Sequence, residues 1–348
     1  MMVTTRTART PVTLRRAVLV LGLVMALVVA CGGTDGSDDA ADGQDDTAAE
    51  DESGADESDD HGPAEPPVVA VAFNILADVA RETFGDQVEL IDVMPRGVDP
   101  HSFQISPADA EPIYDADLLI ANGLNHEEGL AAVIRNAEAE GVPLLEVAEH
   151  VDPLPYGGDV VDQEEVDEGT LDPHFFTDPV RMARVPHLMV DALLEVEPGL
   201  DEQALRESAD AYRAKLEALH EELEEVLAEV PEERRYLVTN HSVFNYFADR
   251  YGFTEVGAIL PSGTTLASPS PADLEDLAAT IEDLGVPAIF ADIGAPDRLA
   301  QALADEVDVE VEIVALYTET LGEDGSGAET YLEMQRTNGA EIARALGG

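Results

Sequence analysis

Cysteine is almost absent from this 348-residue chain, because Cys31 is the only one. Proteins in oxidising compartments usually pair their cysteines in disulfides, and a single cysteine excludes an internal disulfide. Apart from Cys31, no thiolate is available to bind a metal or to act as a nucleophile. Any binding or catalytic site must therefore be built from histidine, carboxylate, hydroxyl or backbone groups.

Basic residues are also scarce. The chain has 18 lysine and arginine residues against 74 aspartate and glutamate residues, a net charge of −56, and Lys215 is the only lysine. This charge repels nucleic acid and anionic membrane surfaces and attracts cations, so we expect no nucleic-acid partner. Solvation in a salty habitat accounts for such acidity without any functional role. A cation ligand is compatible with it.

Signatures of catalysis are missing as well. The sequence contains no HExxH zinc motif and no Gly-x-Ser-x-Gly nucleophile motif. A zinc hydrolase would in addition keep an open coordination position with a general base beside it. The sequence therefore predicts a binding protein and not an enzyme.

Residues 1–30 have the features of a secretory signal. Arginines precede a short apolar run at 17–29, which is too short to span a bilayer. The run ends in Val28-Val29-Ala30-Cys31, which is similar to a bacterial lipobox, so we expect cleavage before Cys31 and its lipidation. A plain signal followed by a free cysteine is the alternative. Cys31 would anchor the protein to the outer side of the cell membrane.

The segment 31–67 is predicted to be a tether behind the lipidated Cys31. It is rich in Asp, Glu, Gly, Ala and Ser, with no basic and no large apolar residue. Such a segment cannot bury enough apolar surface to offset the entropy of ordering, so we expect it to stay disordered.

The rest of the chain has two halves with one pattern of short apolar strands and amphipathic helices. In the first half, strands are predicted at 68–72, 88–93, 118–122 and 143–147, and helices at 75–84 and 129–140. In the second half, strands are predicted at 236–239, 255–259, 288–292 and 310–315, and helices at 242–251, 271–284 and 298–306. This alternation predicts an α/β fold of two similar lobes, 68–198 and 232–348, with mainly parallel sheets.

A single long helix is predicted between the lobes, in the segment 199–231. Asp201 is a suitable N-cap, Pro231 ends the run, and charged residues fill the gaps between the apolar ones. The predicted apolar stripe consists of Leu205, Tyr212, Leu216, Leu219, Leu223 and Val226. At about 1.5 Å per residue the helix would be roughly 45 Å long and would join both lobes.

The two halves also resemble each other in sequence. Residues 84–110 align loosely with 251–274, and each segment ends in Ser-Pro-Ala-Asp, where Ser106 and Ser270 are predicted to cap a helix. Ligands of such sheets bind outside the carboxyl ends of the strands. Two similar lobes therefore predict a binding site in the cleft between them.

Three histidines occupy positions suited to that cleft. His101 follows the strand at 88–93 in a loop with a glycine and two prolines, His174 lies in Asp172-Pro173-His174-Phe175, and His241 directly follows the strand at 236–239. Each alone could be structural. Three at strand ends or in loops, distributed over both lobes, predict a convergent site.

These segments resemble a known family. Gly97–His101, Asp172–Pro179, Asn240–Gly252 and Leu316–Gly322, followed by Tyr331 and Asn338, are similar in order to the substrate-binding lipoproteins of zinc and manganese ABC transporters. The resemblance implies two α/β lobes joined by one stiff helix, with one metal ion in the cleft. It also implies an ABC permease as partner, a monomer, and a location outside the cytoplasm.

Carried over by motif, the metal ligands are His101, His174, His241 and a carboxylate at Glu319. The family often has aspartate at the last place, so Asp292 remains an alternative source of the carboxylate. Glu127 falls where the family has a glutamate close to the site, and it is predicted to support the ligands. His126, next to Glu127, also lies near a strand end but is given less weight than the three proposed ligands, and we expect His150, His187 and His220 to be ordinary.

The chemistry of this ligand set favours zinc. Three imidazoles and one carboxylate suit four-coordinate Zn²⁺, whereas Mn²⁺ prefers more oxygen, and in the family a carboxylate in place of His241 goes with manganese. Many zinc members carry a histidine-rich loop, but here the loop 156–170 is acidic and has no histidine. Manganese therefore stays the alternative cargo. A surface adhesion or interaction lipoprotein with a structural metal is a further alternative.

Overall fold

The computed structural model describes residues 65–157, 169–294 and 298–347. The predicted signal 1–30, Cys31, nearly all of the tether 31–67 and most of the acidic loop 156–170 lie outside the described residues. In the part that is described, no helix is both long and apolar enough to cross a membrane.

The first lobe is a parallel sheet flanked by helices. Its elements in chain order are β1 (Val68–Val71), α1 (Asn74–Phe84), β2 (Glu89–Asp92), α2 (Pro107–Tyr114), β3 (Leu118–Ala121), α3 (Ala131–Glu140), β4 (Leu144–Glu146), α4 (Pro179–Met182) and α5 (Val185–Val196). The strands pair in the order β2-β1-β3-β4, all parallel. All carboxyl ends of these strands therefore lie at one edge of the sheet.

The long helix α6 (Glu202–Leu227) follows the first lobe. The Asp201 side chain accepts a hydrogen bond from the Ala204 amide at 3.1 Å, so the predicted N-cap is present. Its 26 residues correspond to about 39 Å at 1.5 Å per residue. The helix packs against α1 and α5, and it runs without interruption from Glu202 to Leu227.

The second lobe repeats the architecture of the first. Its elements are β5 (Tyr236–His241), α7 (Asn245–Tyr251), β6 (Thr254–Leu260), α8 (Pro271–Leu284), β7 (Ala288–Asp292), α9 (Arg298–Glu306), β8 (Glu312–Leu316) and α10 (Tyr331–Gly347). The strands are again all parallel and pair in the order β6-β5-β7-β8. Numbered within each lobe, both sheets have the order 2-1-3-4, so the predicted likeness of the two lobes is confirmed.

The predicted helix caps explain how equivalent helices begin. Ser106 accepts a hydrogen bond from the Asp109 amide at 3.3 Å, and Ser270 accepts one from the Asp273 amide at 3.2 Å. At Ser270 the Asp273 carboxylate also accepts from the Ser270 amide, which completes a capping box. These bonds satisfy amides that the first helical turn would otherwise leave unpaired.

One continuous core runs through both lobes and the long helix. It includes the inner faces of α1, α5, α6 and α10, and α10 packs on α6 so closely that a Cβ at Gly339 would overlap the Leu223 side chain. A smaller, separate core lies between the second sheet and the helices α8 and α9. The long helix is thus buried by helices from both ends of the chain.

Two sequence predictions about helices need correction. Val226 is 36% exposed, and the buried stripe of α6 continues through Leu227, because the step from Leu223 to the next buried position is four residues and not three. The helices α5 and α10 were not predicted. The single turn α4 precedes α5, and the Asp178 side chain caps this turn by accepting from the Val180 amide.

Candidate metal site

Five side chains meet between the lobes at the carboxyl ends of strands. His101 follows β2, His126 follows β3, and His174 lies in the loop beyond β4; His241 ends β5, and Glu319 follows β8. The relative exposure of each of the five residues is 2% or less. Parallel strands place their carboxyl ends at one edge, which explains why residues far apart in sequence come together.

The Glu319 carboxylate is the centre of this cluster. Its Oε1 lies 3.0 Å from His101 Nε2 and 3.2 Å from the Nε2 atoms of both His126 and His174. Its Oε2 lies 3.3 Å from His241 Nε2. One ligand atom from each of His101, His126, His174 and Glu319 lies within 4.8 Å of the others. Three imidazoles and the Glu319 carboxylate therefore form a compact group, and His241 lies beside it with its Nε2 facing the other Glu319 oxygen.

Carboxylates outside the cluster orient two of the imidazoles. Asp172 Oδ1 lies 2.8 Å from His174 Nδ1, and Glu128 Oε1 lies 3.1 Å from His101 Nδ1. A bond at Nδ1 leaves Nε2 to face the site with its lone pair, as in metal-ligating histidines. Asp172 is itself held, since its Oδ2 accepts from the Asn245 amide group at 2.9 Å and its carbonyl accepts from the Tyr246 hydroxyl at 2.6 Å.

His241 is positioned by its backbone instead. The buried Glu255 accepts hydrogen bonds from the hydroxyls of Thr239 and Ser242, both at 2.9 Å, and so fixes the strand end on either side of His241. Burial raises the pKa of Glu255 to about 7. Neither ring nitrogen of His241 makes a hydrogen bond of good geometry. Buried polar atoms without partners are uncommon, and a metal ion would satisfy such nitrogens.

The electrostatics of the cluster are set by the shared carboxylate. Burial raises the pKa of the Glu319 carboxyl, but the imidazoles of His241 and His101 outweigh burial and hold this pKa well below its usual value. Burial lowers the pKa of His101, but the carboxylates of Glu319 and Glu128 raise it overall to about 10. Burial likewise opposes protonation of His174, but Asp172 and Glu319 raise its pKa to about 9.

The other two imidazoles of the cluster differ. Burial lowers the pKa of His126 to about 4, and it lowers the pKa of His241 as well. The metal-free site at neutral pH therefore holds one carboxylate, two imidazolium ions at His101 and His174, and two neutral imidazoles. A divalent cation that displaced the two protons would leave the net charge of the buried site unchanged.

The two carboxylates left open by the sequence have different surroundings. Glu319 lies among the imidazoles, whereas Asp292 accepts from the Gly294 amide at 2.7 Å and from the Thr318 amide at 3.3 Å. Burial, followed by the charge of Glu319, raises the pKa of Asp292 to about 7. Asp292 thus holds the segment that precedes Glu319.

Glu127 supports a loop through a backbone amide, and its carboxylate does not bond to the proposed metal ligands. Its Oε1 accepts from the Asn122 amide at 2.7 Å, and burial raises its pKa to about 7. This bond closes the turn that carries His126. Glu128, which the sequence did not single out, is the neighbour that contacts His101. A Cβ at the following Gly129 would overlap the Phe103 carbonyl, so glycine permits this close approach.

The Glu319 segment is bound to the first lobe. Asn74, at the start of α1, accepts from the Leu321 amide at 3.1 Å and donates to the Thr320 hydroxyl at 3.2 Å. The Gly97 amide also donates to the Thr320 hydroxyl, at 2.7 Å. The second lobe's carboxylate is therefore held by hydrogen bonds that cross the cleft.

A cavity of about 840 Å³ lies beside the cluster. Its lining includes Gly97 and Asp99 from the first lobe and Asn240 and Thr265 from the second. These residues neighbour His101 and His241 in sequence. The cavity therefore lies next to the segments that carry His101 and His241.

The remaining histidines lie away from the cluster, except for one. His187 pairs with Asp210 at the surface, His220 contacts the Tyr251 hydroxyl, and His150 is exposed. His126 was noted for its place near a strand end but was not chosen as a ligand, and the structure places it in the cluster. Its position at the end of β3 was the available signal, since the same rule selected His101 and His241.

Comparison with known proteins assigns the chain to a family. Residues 69–345 match the profile described as "ZnuA: Zinc-uptake complex component A periplasmic". The chain belongs to this family. The resemblance found in the sequence and the predicted two-lobed fold with a long helix are both confirmed.

Relatives in the family carry names for different metals. The chain is 29% identical over 272 residues to "Manganese-binding lipoprotein MntA" of Halalkalibacterium halodurans, with 78% of this chain and 85% of the relative covered. It is 28% identical over 284 residues to "Zinc-binding protein TroA" of Treponema pallidum, with 80% and 89% covered.

Solved structures show the same fold. The periplasmic zinc-binding protein TroA of Treponema pallidum superposes with a TM-score of 0.73 at 28% identity, over 81% of this chain and 99% of that chain. A manganese-bound periplasmic metal-binding protein of Candidatus Liberibacter asiaticus has a TM-score of 0.69 at 23% identity, over 80% and 99%. The second match supports the fold alone.

Proposed function

We propose that this chain captures a divalent transition metal ion outside the cytoplasm and delivers it to an ABC permease for import. The observation that supports this proposal is the convergence of buried imidazoles on the Glu319 carboxylate, 3.0 to 3.3 Å from its oxygens. Family membership and the names of relatives agree with it. His101, His174, His241 and Glu319 are the proposed ligands.

Zinc is the cargo that the ligand chemistry supports best. Imidazole suits borderline ions such as Zn²⁺, and manganese favours carboxylate and water oxygens. The cluster offers a single carboxylate, because Asp292 and Glu127 face backbone amides. Manganese is the competing cargo, since one relative is named for it.

Transport, not catalysis, is the proposed role of the bound ion. The proposed ligands are each 2% exposed or less, and four protein ligands would close the coordination of the ion, whereas a catalytic zinc site keeps an open position with a general base beside it. The permease partner, the monomeric state and the membrane anchor at Cys31 belong to the same proposal. The name "lipoprotein" of a relative supports the anchor.

Metal content and competition titration test this proposal. The protein is produced from Gly32 onward, beside a His174→Ala variant and an exposed control, His150→Ala. We expect one equivalent of zinc in the wild type and in the control, held against excess manganese, and much weaker zinc binding by His174→Ala. Preference for manganese would overturn the choice of zinc. A wild-type protein that binds neither ion would overturn the transport function.

A further inference from the structure

The imidazole of His126 lies as close to the Glu319 carboxylate as the imidazole of His174, which is a proposed metal ligand. Its Nε2 lies 3.2 Å from Glu319 Oε1, which is also the distance from His174 Nε2 to that oxygen. The side chain of His126 is completely buried. Its ring lies 5.2 Å from that of His101 and 5.5 Å from that of His174, measured between centroids.

The backbone before His126 adopts an unfavourable conformation. Gly123, Leu124 and Asn125 have φ angles of 86°, 52° and 61°, so two residues with side chains occupy the left-handed region. That region disfavours residues with a Cβ, and such strain persists mainly at functional sites. The Glu127 carboxylate stabilises the turn through its bond with the Asn122 amide. The turn directs the next side chain, His126, into the cleft.

Packing alone does not account for a histidine here. Phe73 and Phe176 contact the ring of His126, with centroid distances of 4.7 and 5.3 Å. The Nδ1 atom of His126 is buried without a hydrogen-bond partner. Burial of an unpaired polar atom is unfavourable, so an apolar side chain would fit this wall at lower cost. The only atom of the imidazole that an apolar side chain could not replace is Nε2, which faces the cluster.

We propose that His126 is a fifth metal ligand. The inference rests on the proposed function, since it concerns the same bound ion. His126 approaches Oε1 of Glu319 and His241 approaches Oε2, so the two imidazoles need not compete for one position. The donor set becomes four imidazole nitrogens with one carboxylate.

Five donors change which ions the site favours. Zinc in a closed protein site is almost always tetrahedral, with four ligands. Imidazole also suits nickel and copper, and selectivity among such ions comes from geometry and ligand number. A nitrogen-rich site with five ligands should therefore bind Co²⁺ and Ni²⁺ better, relative to Zn²⁺, than the four-ligand site of a His126 variant.

Cobalt substitution measures the number of ligands directly. Tetrahedral Co²⁺ absorbs visible light several-fold more strongly than five-coordinate Co²⁺. We expect weak absorption from the Co²⁺-loaded wild type, and a several-fold stronger band from His126→Leu with one ion still bound. In competition titrations, the affinity for Ni²⁺ relative to Zn²⁺ should fall in the variant. The exposed His150→Leu is the control and should match the wild type.

Several outcomes would overturn the inference. An intense tetrahedral spectrum in the wild type, unchanged by His126→Leu, would show that His126 only forms part of the wall. If His126→Leu does not fold, His126→Phe is the second variant, because it keeps an aromatic ring at this position. X-ray absorption of the zinc- or cobalt-loaded wild type counts the coordinated imidazoles without any substitution. Three imidazoles would contradict the inference, and four would support it. Failure of the wild type to bind any ion would instead contradict the proposed function.

Discussion

The two lobes share one sheet topology but contribute differently to the cluster. The first lobe provides His101, His126 and His174, and the second provides His241 and Glu319. Carboxylates fix the imidazoles of His101 and His174 within the first lobe. The ring of His241 has no such partner.

This difference indicates which half of the site is formed in advance. First-lobe carboxylates orient His101 and His174, although Asn245 and Tyr246 of the second lobe hold Asp172 in turn. The second lobe's carboxylate segment is held by Asn74 and Gly97, which belong to the first lobe. Binding sites work best when ligands are held before the ion arrives. The orientation of His101 and His174 is therefore set directly by first-lobe carboxylates, whereas the position of the Glu319 segment depends on contacts across the cleft.

Removal of the shared carboxylate should have the largest effect, because Glu319 contacts imidazoles from both lobes. We expect Glu319→Gln to weaken zinc binding by roughly 100-fold or more, since loss of a ligand should exceed the 10–100-fold typical of outer-shell changes. Asp292→Asn is the matched control and should bind nearly as well as the wild type. Competition titration with a chelator measures both. The reverse ranking would make Asp292 the ligand.

The sequence predicted the two lobes and their helices only in part. Strand and helix periods, together with the caps at Ser106 and Ser270, were sufficient for two parallel-sheet lobes, because these signals are local. The end of the buried stripe on α6 was wrong, since Val226 and Leu227 are both apolar and only packing distinguishes them. The helix α10 gave no strong period, because its buried face includes Gln335, Asn338 and Gly339.

Site residues that lie in short sequence motifs could be predicted. Residues whose position depends on tertiary contacts could not. His101, His174, His241 and Glu319 come from short motifs near strand ends. The sequence places His126 near a strand end, but the strained turn that directs it into the cluster, and the close approach at Gly129 beside Glu128, cannot be read from residue spacing. The contact between Asn74 and Leu321 joins residues 247 positions apart, which no local pattern reveals.

The orientation of His174 by the first lobe should have the next largest effect. Asp172→Asn replaces a fully buried acceptor of the Nδ1–H bond, so the tautomer that presents Nε2 is no longer favoured. We expect zinc affinity to fall by about 10–100-fold. Asp210→Asn, which alters the exposed Asp–His pair at His187, is the control and should leave affinity unchanged. Equal effects of both variants in a chelator competition would contradict the orienting role.

The lobes should also differ in proton release. The pKa values of His101 and His174 are raised to about 10 and about 9, so both must lose a proton to bind zinc at neutral pH, whereas the lowered pKa of His241 leaves it neutral. Affinity should therefore rise with pH up to about 10, by about tenfold per pH unit for each proton released. Calorimetry in buffers of different ionisation enthalpy counts these protons. A plateau above pH 7 would contradict the raised values.

The contact across the cleft should have the smallest effect on affinity and a distinct effect on stability. Asn74→Ala leaves the buried Leu321 amide and the Thr320 hydroxyl without this partner, which should lower the free energy of unfolding by about 1–3 kcal/mol. Zinc affinity should fall by about tenfold or less, with faster dissociation, because the imidazoles of the first lobe stay in place. Gln87→Ala, at an exposed contact with Asp201, is the control.

Chemical unfolding of the metal-free protein and stopped-flow release of zinc to a chelator measure the two effects separately. If Asn74→Ala destabilises the protein but leaves zinc dissociation unchanged, the second lobe holds Glu319 without help from the first, and the two lobes are equally ordered before the ion binds.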